Sequence, residues 1–438
     1  MIRTALAARR TSGNVFQTRY FSVSVLRWNK LPTTNSPIVN RLEFINTVTG
    51  SSTQIPTYRV LDGAGKPIEG AELPEIDKAY AHRLYEKMQL LPALDNVLYN
   101  VQRQGKISFY VMSPGSTIQA PLLTFHRVLG QYREMGILLW RGFTIDDAMA
   151  QCFGNENDRS GKGRQMPVHF GSPEHHFHTI SSTLATQIPQ AAGVGYALKR
   201  DPQRCSKNIA ACFFGEGAAS EGDFHAGMML ASTIPSPTLY ICRNNGFAIS
   251  TPSTEQYYGD GIAARGPGYG IDTIRVDGND ILAVINAVKE ARKRCLEQGR
   301  AVLVEAMSYR VGHHSTSDDS FAYRARAEVE DRKRIDNPLT RFRLFMESRG
   351  WWNEEAENEL KANIKAKVMK CFKRADALKR CELGELFTDI YGGEEPWNIK
   401  EQREELTQLL KKYGQVWEPW RTELSKFKNN GKDLLGGQ

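Results

Sequence analysis

Short apolar runs alternate with helical patterns along the middle of the chain. The runs at 209–214, 238–242 and 301–306 each have the length of one buried β-strand. Between the second and third runs, residues 280–298 carry apolar side chains at the three-to-four-residue spacing of a helix. This alternation predicts an α/β fold, in which a parallel sheet is covered by helices on both faces.

Helical patterns also occur on either side of this region. Apolar residues recur at helical spacing over 84–103, and Gly105 is placed to end that helix. Residues 354–374 and 400–413 predict two further, strongly charged helices. The stretch 178–198 has no acidic or basic residue, but its Ser, Thr and Gln residues predict a buried helix with a polar face rather than a membrane span.

These patterns divide the chain into four parts. Residues 1–21 form a targeting segment, and the irregular arm 22–75, which is interrupted by prolines, is expected to lie over a partner or the core. The α/β domain spans 76–337. Residues 338–438 form a helical C-terminal extension, which we expect at subunit contacts.

The charge of the first segment is that of a targeting sequence. Seven basic residues and no acidic residue precede Glu43. This composition is typical of a mitochondrial presequence and predicts a matrix protein cleaved after Phe21. Cleavage there removes four basic residues and lowers the formal net charge from +8 to +4, which argues against a nucleic-acid-binding surface. The seven cysteines form no CxxC pair and no metal-binding pattern, as expected of buried thiols in a reducing compartment.

Two short motifs follow the first two predicted strands. Gly215-Glu216-Gly217-Ala218 follows the first, and Arg243-Asn244-Asn245-Gly246 follows the second. Open α/β sheets bind ligands at the carboxyl ends of their strands, and glycines there let backbone amides approach a phosphate. Glu216 and Asn245 offer the hard oxygens that Mg²⁺ prefers, and the Phe247 carbonyl is placed to add another. The sequence therefore predicts a site for a diphosphate and magnesium.

This pair of motifs resembles the thiamine-diphosphate motif, and further segments resemble the α subunits of mitochondrial branched-chain 2-oxo acid dehydrogenases. The resemblance covers roughly residues 40–355 and implies the thiamine-diphosphate-binding fold. It also implies decarboxylation of branched-chain 2-oxo acids, with transfer of the acyl group to a lipoyl group. Pyruvate dehydrogenase α subunits share both motifs, so pyruvate is the alternative substrate. The segments that carry the branched-chain likeness are 163–169, 244–252, 259–270 and 312–319.

The resemblance implies a role for individual residues of this chain. His314 matches a histidine that reaches the cofactor and handles the acyl intermediate, a role suited to a near-neutral imidazole pKa, whereas His313 is expected to be a loop contact. Ser315 matches a position that a dedicated kinase phosphorylates in animals. The other implied residues are Gln131, Tyr132, Arg133, Ser182, Leu184, Gly215, Glu216, Gly217, Ala218, Arg243 and Asn245 for the cofactor, Glu216, Asn245 and Phe247 for magnesium, and Ser181, Thr183, Thr186 and Gln187 for a structural potassium ion.

The resemblance also implies that this chain works only with a partner. In this family the glutamate that activates thiamine diphosphate comes from the β subunit. We therefore expect a heterotetramer of two α and two β chains, which serves a lipoyl-bearing transacylase.

Residues 111–126 depart from the family, and Pro114 and Pro121 interrupt the helix that the family has there. Either the translated sequence contains a local error or the segment is a genuine variant, which leaves a catalytically impaired scaffold subunit as an alternative function. A nicotinamide dehydrogenase is a weak alternative, because Gly63-Ala64-Gly65 is followed by Lys66-Pro67 and not by a dinucleotide-binding helix.

Overall fold

A parallel sheet of eight strands carries the fold within the residues that the computed structural model describes, 36–45, 54–113, 127–205 and 207–426. The predicted presequence and most of the divergent segment lie outside these residues. The described residues form ten strands, eight of them in this sheet: β1 (Ile38–Val39), β2 (Thr57–Tyr58), β3 (Arg127–Leu129), β4 (Phe177–His178), β5 (Ala210–Gly215), β6 (Thr238–Asn244), β7 (Phe247–Ala248), β8 (Thr251–Pro252), β9 (Asp272–Asp277) and β10 (Val302–Met307).

The order across the sheet is β1-β2-β9-β10-β6-β5-β3-β4, and every neighbouring pair is parallel. Strands β7 and β8 form a separate antiparallel pair. The helices are α1 (Lys78–Arg103), α2 (Met135–Trp140), α3 (Ile145–Phe153), α4 (Gln187–Arg200), α5 (Gly222–Thr233), α6 (Ser253–Gln256), α7 (Ile281–Gln298), α8 (Arg326–Ile335), α9 (Pro338–Ser348), α10 (Glu354–Ala377), α11 (Trp397–Lys412) and α12 (Arg421–Leu424).

The central strands are buried on both faces, because successive side chains enter two different cores. In β5, Cys212 and Phe214 pack with residues of α4 and α5, whereas Ala211 and Phe213 pack in the larger core that includes α1 and α7. Burial of each of the two phenylalanine side chains contributes about 1.5–3 kcal/mol. The predicted α/β architecture, with helices on both faces of a parallel sheet, is confirmed.

Outside the stretch 178–198, the predicted strands and helices are found with shifts at their ends, the largest at α1, which begins six residues before the predicted start at residue 84. Each of the three predicted central strands ends one or two residues later in the structure, at Gly215, Asn244 and Met307. Helix α7 begins where expected, because the Asp280 carboxylate caps it by accepting from the Leu282 and Ala283 amides at 3.1 and 3.2 Å.

The uncharged stretch 178–198 is only partly helical, which corrects the prediction of one long helix. Helix α4 begins at Gln187, and residues 180–186 form a loop in which Ala185 adopts a left-handed backbone conformation, with φ at 69°. Continuing the helix upstream is incompatible with that conformation. Among the described residues, no helix combines the length and apolar character needed to cross a membrane.

The regions on both sides of the α/β core pack against it. The arm supplies β1 and β2, and β2 pairs with β9, so this part of the arm extends the sheet instead of being irregular. In the C-terminal region, α9 packs on α1, and α10 packs on α1 and α3. The domain boundaries themselves remain predictions.

Candidate active site

Four neighbouring strands end at the same edge of the sheet and deliver most of the predicted site residues there. The strands are β10, β6, β5 and β3, in that order. Gln131 follows β3, Glu216 follows β5, and Asn245 follows β6. The segment after β10 leads to His314. Residues far apart in the sequence are therefore brought together because parallel strands align their carboxyl ends.

Glu216 and Asn245, the two side chains predicted to bind magnesium, belong to residues in direct contact. The backbone N–H of Asn245 donates to Glu216 Oε2 at 3.2 Å. The side-chain Oδ1 of Asn245 accepts from the backbone N–H of Phe247 at 3.3 Å. Glu216 is 1% exposed, and its Oε1 has no hydrogen-bond partner in the described structure. Burial raises the pKa of Glu216 to about 7. A buried carboxylate oxygen without a partner fits a bound cation, which would satisfy it.

Glycines shape the two turns for different reasons. Gly246 has φ at 85°, a conformation that favours glycine, so it lets the chain turn sharply after β6. At Gly217 a Cβ atom would lie 2.8 Å from the Ala248 Cβ. Gly217 therefore permits close packing of the two turns, and the phosphate approach expected from the sequence stays a prediction.

Gln131 and Arg243 are joined through Glu134, which the sequence did not single out. The Arg243 guanidinium forms a buried ion pair with Glu134 Oε1. Glu134 Oε2 accepts from the backbone N–H of Gln131 at 2.7 Å. Gln131 Oε1 in turn accepts from the Gly215 amide at 3.1 Å. This chain of contacts ties β3, β5 and β6 together. Within the part of the chain that the structure describes, Arg243 Nε is buried without a hydrogen-bond partner, which leaves a donor for an anion.

Arg133 lies against His314. Its Nη2 is 3.1 Å from His314 Nδ1 and 3.3 Å from the His314 carbonyl oxygen, and its Nη1 donates to the Met112 carbonyl. The Tyr132 ring packs edge-on against the His314 imidazole, with 5.8 Å between centroids. The three predicted residues therefore form one cluster, in which the guanidinium fixes the orientation of the imidazole.

The charge state of His314 differs from the sequence-based expectation of a near-neutral pKa. Burial, together with the nearby guanidinium groups of Arg133 and Arg310, lowers the pKa of His314 to about 3. The imidazole is therefore neutral at physiological pH. His313 is a loop contact as predicted, because its Nδ1 accepts from the Ser320 amide at 3.0 Å.

The loop that carries Ser315 is held by its own polar side chains. Asp318 accepts from the His314 amide at 2.7 Å and from the Tyr323 hydroxyl at 2.8 Å. Ser315 is 5% exposed, and its hydroxyl oxygen accepts from the Ser317 amide at 3.2 Å. The Ser315 hydroxyl therefore becomes accessible only if this loop opens.

The residues predicted to bind potassium lie in the loop before α4 and at the first residue of that helix. The Thr186 hydroxyl donates to the Thr183 carbonyl at 3.2 Å, and Gln187 Nε2 donates to the Phe213 carbonyl at 3.0 Å. Ser181 is exposed. Nearby, the Ser182 hydroxyl lies 2.8 Å from His169 Nε2, and Leu184 packs against the smaller of the two cores. Among the described residues, no group of three or more His, Cys, Asp or Glu side chains is arranged to hold a metal ion.

The Phe247 side chain helps to fix the turn that is predicted to carry the magnesium ligands. Its ring packs at 6.1 Å against Tyr309 and against Tyr323, and the Arg310 and Arg324 guanidinium groups each lie 5.4 Å from its centre. Ala218 is buried beside Glu216 and makes no polar side-chain contact of its own.

The fold and the site define an α/β protein that suits an anionic cofactor accompanied by a cation. Residues 85–383 match the dehydrogenase E1 component family, and the chain belongs to that family. It is 49% identical over 393 residues to "2-oxoisovalerate dehydrogenase subunit alpha, mitochondrial" of Macaca fascicularis, which covers 88% of this chain and 86% of that protein.

More distant eukaryotes give the same result. Identity to the protein of the same name from Caenorhabditis elegans is 45% over 424 residues, which covers 96% of each chain. Identity to "2-oxoisovalerate dehydrogenase subunit alpha 1, mitochondrial" of Arabidopsis thaliana is 48% over 374 residues, 84% of this chain and 78% of that protein. The family resemblance drawn from the motifs is therefore confirmed.

Proposed function

We propose that this chain is the α subunit of a thiamine-diphosphate-dependent 2-oxo acid dehydrogenase in the mitochondrial matrix. It takes part in decarboxylating branched-chain 2-oxo acids and in passing the acyl group to the lipoyl group of a transacylase. The contact between Glu216 and Asn245 is the observation that carries this proposal, since it joins the residue with the buried, unpartnered carboxylate oxygen to the residue assigned as the second ligand. The relatives' names favour the branched-chain substrate over pyruvate.

The site has the groups that an anionic, cation-bound cofactor requires. Glu216, Asn245 and the Phe247 carbonyl would hold Mg²⁺, because all three supply hard oxygens. Arg133 and Arg243 are assigned to the diphosphate, with Gln131 and Tyr132 beside them. The lining of the cofactor site is assigned to Ser182, Leu184, Gly215, Gly217 and Ala218. The ligands of a structural potassium ion are assigned to Ser181, Thr183, Thr186 and Gln187.

Thiamine diphosphate, when bound, supplies the electron sink that lets the 2-oxo acid lose CO₂. The residues of this chain supply orientation and charge. Arg243 and Arg133 bring positive charge to the buried strand ends, where it counts more than in water. His314 is neutral and is oriented by Arg133, so it presents a hydrogen-bonding imidazole to the site without adding a further positive charge.

We assign the base that activates the cofactor to a β chain, because family membership implies such a partner. This chain alone is therefore expected to be inactive. A heterotetramer of two α and two β chains is the assembly we propose. The scaffold alternative predicts, in contrast, that the assembled pair binds no cofactor.

Calorimetry on the co-expressed α and β chains separates these possibilities. We expect thiamine diphosphate and Mg²⁺ to bind the pair, and Glu216→Gln to weaken Mg²⁺ binding strongly because it removes the charged ligand. Glu221→Gln is the matched control, since Glu221 is exposed five residues further along the same segment. Absence of binding to the wild-type pair contradicts the proposal and favours the scaffold function.

The substrate is tested by CO₂ release from the co-expressed pair. Faster release from 3-methyl-2-oxobutanoate than from pyruvate, compared as kcat/KM, is expected. A preference for pyruvate would make the alternative substrate correct.

Regulation at Ser315 is a further part of the proposal. A phosphate on Ser315 would bring a dianion close to the assigned diphosphate region and push the loop open. A dedicated kinase is the partner we assign to this step. Ser315→Glu is expected to lower CO₂ release, with Ser317→Glu, at an exposed neighbouring position, as the control.

A further inference from the structure

The turn that carries the assigned cation ligands is held by the side chain of Asn244, which is not itself one of them. Asn244 Oδ1 accepts from the Gly246 amide at 3.2 Å, which closes the backbone into a turn. The Asn244 carbonyl accepts from the Ser308 amide at 2.8 Å. Asn244 is buried, so its side-chain orientation depends on protein partners.

Those partners include Glu305, a fully buried residue of β10. Asn244 Nδ2 donates to Glu305 Oε1 at 2.9 Å and to the Tyr257 hydroxyl at 3.1 Å. Strands β6 and β10 are direct neighbours, and Glu305 is in register with Cys242. The carboxylate is therefore delivered from the neighbouring strand to the end of β6.

Glu305 is itself fixed by three further donors. The Ile262 and Ala263 amides donate to its two oxygens at 2.8 and 2.9 Å, and Arg275 Nε donates at 2.9 Å. Arg275 is fully buried and also pairs with Asp260 at 2.9 Å. The Glu305 carboxylate thus accepts hydrogen bonds from Asn244, Ile262, Ala263 and Arg275, which compensate its charge and fix its position.

We propose that Glu305 is a positioning residue for the cation-binding turn 244–247 and that it acts through Asn244. The carboxylate accepts from Asn244 Nδ2, which turns Oδ1 toward the Gly246 amide. The resulting turn presents Asn245 and the Phe247 carbonyl beside Glu216. This inference rests on the proposed function, because it assigns Mg²⁺ to that turn.

A double-mutant cycle tests the inference on the co-expressed pair, with Mg²⁺ titrated by calorimetry in the presence of thiamine diphosphate. Asn244→Ala and Glu305→Gln are each expected to weaken Mg²⁺ binding by about 10- to 100-fold, as for other residues that orient a metal ligand. The double variant is expected to bind Mg²⁺ about as tightly as whichever single variant binds it less tightly, because both changes interrupt the same contact.

The matched control is Asp277→Asn. Asp277 is also a fully buried carboxylate paired with arginines, on the strand next to Glu305, but it contacts Arg59 and Arg341 and not the turn. We expect this variant to lower the melting temperature of the unliganded pair while leaving Mg²⁺ affinity unchanged. A purely structural role for Glu305 predicts the same behaviour for Glu305→Gln.

The inference would be overturned if Glu305→Gln bound Mg²⁺ with wild-type affinity. It would also be overturned if the fold-loss of Mg²⁺ affinity in the double variant equalled the product of the two single losses. If Glu305→Gln does not fold, Asn244→Ser decides the question. Its hydroxyl can still accept from the Gly246 amide but is too short to reach Glu305. Weakened Mg²⁺ binding supports the inference, and wild-type binding overturns it. A wild-type pair that binds no Mg²⁺ contradicts the proposed function as well, so the two failures are distinguishable.

Discussion

The substitution Asp95→Asn removes a buried charge behind the site while keeping the shape of the side chain. Asp95 lies on α1 and is fully buried. The Tyr110 hydroxyl donates to its Oδ1 and the Ser113 amide to its Oδ2, each at 2.7 Å. Tyr110 is paired in turn with Thr316, two residues after His314, through backbone and hydroxyl contacts.

Burial raises the pKa of Asp95 from 3.8 to about 6, despite these two hydrogen bonds. A raised folded-state pKa means that the native chain holds the proton more tightly than the unfolded chain. The stabilising contribution is therefore complete below pH 3.8 and is lost as the pH rises through 6. At pH 5, one unit below the folded-state value, the wild type is favoured by about 1.4 kcal/mol relative to pH 8.

Asparagine cannot ionise, so the variant lacks this pH dependence. Its amide oxygen can face the Ser113 amide, and its NH₂ group can donate to the Tyr110 hydroxyl. The free energy of unfolding of the variant minus that of the wild type is expected to be about 1.4 kcal/mol larger at pH 8 than at pH 5. The variant is therefore relatively more stable at pH 8.

Urea-induced unfolding, followed by tryptophan fluorescence at both pH values, measures this difference. Other titrating groups cancel in the comparison between the two proteins. Asp331→Asn, at an exposed aspartate of α8, controls for the change in net charge. A difference between wild type and Asp95→Asn that is the same at pH 5 and pH 8 would refute the reasoning, because it would mean that burial does not shift this carboxyl.

Three further outcomes test the geometry of the site. Gly217→Ala places a Cβ atom 2.8 Å from that of Ala248 and is expected to cost about 1–3 kcal/mol, and an unchanged melting temperature would contradict this packing. Glu134→Gln leaves Arg243 without its buried carboxylate and is expected to cost about 3–5 kcal/mol in urea unfolding, whereas unchanged stability would argue against the ion pair. The imidazole NMR signal of His314, assigned with His314→Gln, is expected not to titrate between pH 5 and pH 8, because the folded-state pKa is lowered to about 3. The contribution of His314 to stability is therefore present above pH 6.5 and is lost as the pH falls toward 3. A titration midpoint near 6.5 would disprove the burial argument.

The parallel sheet and the paired motifs could be predicted because they depend on local patterns. A run of apolar residues followed by glycine marks the end of a buried strand, and two such ends predict a common edge. The residues of the loop 180–186 lacked such a signal. The chain there has no charge to mark exposure, and the left-handed conformation at Ala185 is fixed by tertiary packing.

The supporting polar residues could not be predicted for a different reason. Glu134, Asp95 and Glu305 act through partners that lie 109, 15 and 61 positions away in the sequence. No spacing rule connects such pairs, because they depend on how the helices, strands and loops pack together. The lowered pKa of His314 was missed likewise, since Arg133 reaches it from 181 positions away.

The position of β10 in the sheet has a consequence for biosynthesis. This strand is the last of the sheet to leave the ribosome, yet it lies between β9 and β6, near the middle. A chain that stops before Val302 therefore exposes two unpaired strand edges instead of losing a peripheral element. Exposed edges of apolar strands recruit other chains and promote aggregation. Truncated products of this gene should consequently become substrates for chaperones and proteases before they can compete for a partner subunit.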